Sequence, residues 1–108
     1  MKRPYSAYAN LALAAIYYQR NDYIKGNFYL EQVPDDSFAA SRKYELRGDV
    51  WDKQKKPDEA ILAYEKSLQI NSGQINVRKK LIRLYEASSP QKAKQEKETL
   101  TYIQSFYY

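Results

Sequence analysis

Asp49 and Asp52 stand three residues apart, the spacing that puts two carboxylates one helical turn from each other and could hold a cation. Arg42 and Lys53 lie close by in sequence, so an ion-pair network is the stronger reading of these acids than a metal site. Asp49 also ends the tripeptide Arg47-Gly48-Asp49, a combination that serves cell adhesion when an exposed, bent loop displays it. Here Glu45, Leu46, Val50 and Trp51 carry a helical pattern straight through it, without a turn signal. Little else in the chain could do covalent or acid–base chemistry. There is no histidine and no cysteine, which removes imidazole bases, thiol nucleophiles, disulfides and the usual zinc ligand sets. A Gly-rich phosphate loop and a Gly-x-Ser-x-Gly elbow are also missing. The expectation is a protein that is no enzyme, with no cofactor and no metal.

The elements that must position these side chains emerge from an internal repeat. After a six-residue leader, the 108 residues divide into three 34-residue units, 7–40, 41–74 and 75–108, within a single domain over 1–108. Ala14, Gly48 and Ile82 share the eighth position of their units, and Tyr17, Trp51 and Tyr85 the eleventh. Gly26 and Ala60 share the twentieth, and Leu30 and Tyr64 the twenty-fourth. Breaker residues fall midway in each unit, at 20–22, 55–58 and 88–91, and again between units at 33–37 and 71–73. The pattern predicts helices over 5–19, 22–33, 37–54, 57–71, 74–87 and 90–107. Pro34 stops the second near Gln32 or Val33. Ala93, Leu100, Ile103 and Tyr107 give the last helix an apolar stripe outside the repeat register, so it reads as a cap.

Residues 41–74 resemble a tetratricopeptide repeat, with Gly48, Trp51, Ala60, Tyr64 and Leu68 at signature positions. Residues 7–40 are a looser copy, and 75–108 match in their first half. The resemblance implies an all-α fold, a right-handed superhelix of three antiparallel helix pairs. It also implies that Gly48 lies against the second helix of its pair. A glycine inside a helix costs about 1 kcal/mol against alanine, and close helix packing offsets that. Arg47 stands where the family prefers leucine, so its stem must snorkel to water.

In such arrays the first helix of each pair lines a concave face. The resemblance places there Tyr8, Leu11, Ala15 and Tyr18, then Arg42, Glu45, Asp49 and Asp52, then Lys79 and Arg83. The face would grade from apolar through mixed charge to basic, suited to a protein or peptide partner with an apolar anchor and an acidic end. The Lys/Asn clamp by which some family members hold a C-terminal carboxylate is missing. Leu11, Ala15 and Leu46 occupy its slots and cannot donate hydrogen bonds, and only Lys80 keeps a basic residue. The resemblance implies protein binding within a larger complex of secretion, assembly or chaperone type.

Two further readings carry their own features. The first helix is apolar almost all round, with Asn10 as its one strongly polar interior residue. A free end would expose Tyr5, Tyr8, Leu11 and Ala15, which suits self-association, a covering partner or a further repeat. The chain carries a net charge of +5, and residues 73–108 hold seven basic and three acidic side chains. Arg78, Lys79, Lys80, Arg83, Lys92, Lys94 and Lys97, with Tyr102, Phe106, Tyr107 and Tyr108, could serve an anionic surface or nucleic acid. No base-reading motif accompanies them, so nucleic acid fits poorly. No stretch is long and apolar enough for a transmembrane segment.

Overall fold

A computed structural model describes residues 6–106. Those residues form six helices: α1 (Ala7–Gln19), α2 (Tyr23–Glu31), α3 (Ala40–Lys53), α4 (Pro57–Ile70), α5 (Ile75–Ser88) and α6 (Pro90–Gln104). They pack as three successive pairs, α1 with α2, α3 with α4 and α5 with α6, the architecture of a helical repeat.

Local chemistry accounts for most boundaries. Ser6 accepts a hydrogen bond from the Ala9 amide at 3.1 Å, and Asp22 one from Lys25 at the same distance, capping α1 and α2. Pro57 and Pro90 open α4 and α6, where the missing amide hydrogen costs nothing. The turns inside the first two pairs share one device. Asn21 and Lys55, both fifteenth in their units, take left-handed backbone with φ of 60° and 61°. The third turn instead has Ser89 at φ −154° and ψ 81°.

The second connection departs from expectation. α2 ends at Glu31, about a turn earlier than α4 does in its own unit, and α3 starts at Ala40 rather than at 37. Pro34 prevents helix continuation, and the Ser37 hydroxyl donates to the Pro34 carbonyl in a turn rather than capping α3. The buried Lys43 ammonium secures this link by donating to the Val33 carbonyl at 2.9 Å and to Asp35 at 3.0 Å. In α6, Ala93 is buried while Leu100 and Ile103 are half-buried; Tyr107 lies outside the described residues.

The first two pairs are each locked by a glycine under a tyrosine ring. A Cβ on Gly48 would stand 2.5 Å from the Tyr64 ring, so α3 and α4 touch there because position 48 has no side chain. The Tyr64 hydroxyl donates to Asp49 at 2.5 Å. In the first pair the partners exchange helices: Gly26 on α2 lies under Tyr18 of α1, again with 2.5 Å to a built Cβ. The Tyr18 hydroxyl donates to Asn27 at 2.5 Å. In both locks the residue after the glycine accepts the tyrosine proton. Burial raises the Tyr18 phenol to about 12, with opposing influences from Arg47 and Glu31.

The larger apolar core joins the second and third pairs. Ala60 and Tyr64 of α4, Val77, Leu81, Leu84 and Tyr85 of α5, and Ala93 of α6 are all buried. A smaller core holds Ala14, Tyr18 and Leu30, with half-buried Leu46 and Val50 of α3 closing it.

Candidate partner-binding face

α3 and α5 present their polar sides to each other, and charge knits the two helices together. The Lys80 ammonium donates to Glu45 at 2.8 Å and to Asp49 at 2.9 Å. Arg83 pairs with Asp52, and Arg42 pairs with Glu45 within α3. Glu45 is buried, which by itself raises its pKa. Hydrogen bonds and charge from Lys80, then from Arg42, reverse that and hold the carboxyl below its usual range. Lys80 shows the mirror image: burial lowers its pKa, but Glu45 and Asp49 hold it above the ordinary lysine value. Burial and the neighbouring Asp49 keep the Tyr64 phenol protonated well beyond the normal range.

Asp49 and Asp52 thus do grip cations, and the chain supplies them. The bonds come from Lys80 and Arg83 of the next unit rather than from Lys53 and Arg42. Lys53 reaches the other way and donates to Asn21 at 2.9 Å. No group of three or more metal-ligating side chains occurs among the described residues.

The residues assigned to the concave face divide by accessibility. Tyr8, Arg42, Lys79 and Arg83 are exposed, and Asp49 and Asp52 half-exposed beside their cations. Leu11 and Ala15 are half-buried. Tyr18 and Glu45 are buried, the first by the Gly26 lock and the second under Lys80. The placement implied by the resemblance missed the burial of Tyr18 because it ignores the gap that Gly26 opens on the facing helix. A glycine at the twentieth position opposite an aromatic at the twelfth was the available signal. Lys80, the residue left in its clamp slot, is engaged by two carboxylates of its own chain.

In the basic third unit, four of the seven cationic side chains, Arg78, Lys80, Arg83 and Lys97, pair with carboxylates. Arg78 donates to Glu96 at 2.7 Å and to the Ser72 carbonyl, and Lys97 pairs with Glu86 at 3.4 Å. Lys92 lies over the Tyr85 ring. Among the described residues no helix is long and apolar enough to cross a membrane.

The family model for a tetratricopeptide repeat-like domain matches residues 2–88. A search of the curated proteins finds no match. With the helix pairs, the glycine-and-tyrosine locks and a family match over most of its length, the chain belongs to the tetratricopeptide repeat-like family.

Proposed function

We propose that this domain is a protein-interaction module that receives a peptide or partner subunit on the face built by α1, α3 and α5. The family suggests protein partners, and the finer reading rests on one observation. Arg42, Lys80 and Arg83 are paired with Glu45, Asp49 and Asp52, so among the described residues of that face the exposed Lys79 is the cation without an ion pair, and Tyr8 is exposed on α1. A surface with one surplus positive charge, beside Lys79, at one end and an exposed aromatic at the other complements a segment that is acidic at one end and apolar at the other. The self-neutralised ladder in between makes the face rigid, which reduces the ordering cost of binding. Its working context is a larger complex, and binding rather than turnover is its activity.

Photo-crosslinking in the native cell tests this. A crosslinking residue placed at Tyr8, Arg42 or Lys79 should capture a partner, and the double variant R42E/K79E should reduce the yield. Capture confined to positions on α4 or α6 would refute the assignment of the face.

Self-association is the second reading, favoured by Tyr8 and Ile16, both exposed on α1. Sedimentation over a concentration series decides it, with Ile16→Glu expected to hold the chain monomeric if α1 is the contact. An anionic surface or nucleic acid as ligand draws less support, since Arg78, Lys80, Arg83 and Lys97 all pair with carboxylates.

A further inference from the structure

Both junctions between helix pairs use the fifth residue of one 34-residue unit and the sixth of the next. At the first junction these are Leu11 and Leu46, which pack into one apolar core. At the second they are Glu45 and Lys80, joined at 2.8 Å. Lys80 also donates to Asp49, the ninth residue of its unit, at 2.9 Å, and Arg83 pairs with Asp52, the twelfth. Each contact matches in kind, apolar with apolar and acid with base. The forward-facing positions of a unit therefore select the chemistry of the helix laid against them.

The third unit turns these positions to solvent. Its fifth, ninth and twelfth residues are Lys79, Arg83 and Glu86, all exposed. Lys79 has no ion-pair partner among the described residues. Arg83 leans back to Asp52, and Glu86 makes a 3.4 Å pair with Lys97. Compared with α3, the charge is inverted at the fifth and ninth positions and kept at the twelfth. On the neighbouring α6, Tyr102 is 66% exposed. Counted from the opening prolines Pro57 and Pro90, Tyr102 corresponds to Gln69, and counted by the 34-residue period it corresponds to Leu68. Both of those residues line the groove between α4 and α5, so either count puts Tyr102 on the side that faces a following helix. Lys94 and Glu98, also exposed on α6, stand one turn apart with opposite charges.

We propose that α5, with Tyr102 of α6, is a docking surface for an amphipathic helix of a partner protein that carries a carboxylate, a cation three residues later and an apolar flank. The carboxylate takes the slot that Lys80 fills at the second junction and meets Lys79 and Arg83. The cation takes the slot of Arg83 and meets Glu86, and the apolar flank covers Tyr102. A second copy does not fit in this register. In the slots of Lys80 and Arg83, α1 has Ala12 and Ala15, and it bears no charged residue between Ala7 and Gln19. The proposal rests on Lys79 as the free cation of the face of α1, α3 and α5, and adds the fold and charge pattern of what meets it. Tyr102 lies off that face, which lets the two readings be tested apart.

The probe is a fluorescein-labelled peptide copying residues 74–88, the helix that docks at the second junction, with Lys80→Glu. Ile82→Lys, closed as a lactam onto Glu86, holds the short helix. Position 82 corresponds to Gly48, which faces its own pair partner, so it is free in the peptide. By fluorescence anisotropy the peptide should bind the intact chain saturably. It should bind at least about tenfold more tightly than the same peptide with Lys80 retained, a gap that narrows with added salt. Lys79→Glu in the chain should reverse that preference, and Tyr102→Asp should weaken both peptides. Lys66→Glu on α4, the same change of charge elsewhere, should alter neither. All three positions are exposed, so the variants should keep the parent circular dichroism spectrum. No saturable binding, or equal binding of the two peptides, overturns the proposal. A preference reversed by Lys79→Glu with binding indifferent to Tyr102→Asp also overturns it but leaves the face of α1, α3 and α5 standing, and capture at Tyr8 and Arg42 tests that face by itself. A dimer of the chain that is lost in Lys79→Glu makes a second copy the occupant and overturns it too.

Discussion

The two junctions of this array are built from the same repeat and closed to different degrees. Between the second and third pairs, α4 runs its full length along α5. A continuous core forms, and Lys80 and Arg83 add ion pairs to α3. Between the first and second pairs, α2 stops at Glu31, the core is smaller, and Arg47 stands where Leu81 stands at the other junction. In a quasi-one-dimensional fold the interfaces between neighbours set cooperativity, so the first pair should open more readily than the rest. One proline thus separates a junction with the larger core from one with the smaller.

The strongest way to break the comparison is to empty each core in turn. Leu81→Ala at the second junction should cost about 2–5 kcal/mol in denaturant unfolding, the range for a fully buried leucine. Leu46→Ala, at a half-buried site, should cost less than half of that and leave exchange protection of α4 and α5 intact. Equal losses would mean that the two junctions are energetically alike.

The next effect concerns the locks rather than the junctions. Gly48→Ala should cost roughly 1–3 kcal/mol, because the new methyl must displace the Tyr64 ring and with it the bond to Asp49. Gly26→Ala should do the same in the first pair, and the loss should appear as faster exchange confined to α1 and α2.

Acid should separate the junctions as well. Glu45 has a lowered pKa, so its contribution is present above the ordinary glutamate value of about 4.3 and is lost as pH falls through its lower folded value. Lys80 has a raised pKa, so its contribution is complete below the ordinary lysine value of about 10.4 and is lost only as pH rises through its higher folded value. The second junction should therefore be pH-independent across the neutral range and weaken at the acid end. Asp35, paired with Lys43 and Tyr44 beside the first junction, is lowered in the same sense, but its exposure makes its loss matter less. Glu45→Gln should flatten the acid limb of a stability-versus-pH curve; an unchanged limb would remove the ladder from the account.

The smallest expected effect is at the turns. Lys55 holds left-handed backbone that glycine adopts freely, so Lys55→Gly should stabilise the second pair by about 0.5–1 kcal/mol. Asn21→Gly should gain less, since asparagine tolerates that region. Similar gains at both positions would argue against a conformational origin.

The sequence by itself determined the elements and their order. A 34-residue period, breakers at fixed offsets and small residues at the eighth and twentieth positions are local or periodic signals, and helix formation responds to them directly. That Pro34 shortens α2 was legible for the same reason, because it acts on its own backbone; only the exact ending at Glu31 differed. The partners of the charged residues were not legible. On a helical diagram Arg42 lies within reach of Glu45 and Lys53 within reach of Asp49, whereas Lys80 and Arg83 belong to another helix, and the choice depends on how α5 is rotated against α3. The burial of Tyr18 depends likewise on α2 bringing Gly26 beneath it. Tertiary structure alone decided which acids were spent and which cations were left over. Those outcomes are set by contacts between residues roughly 8 to 35 positions apart, and no periodicity within a single helix encodes them.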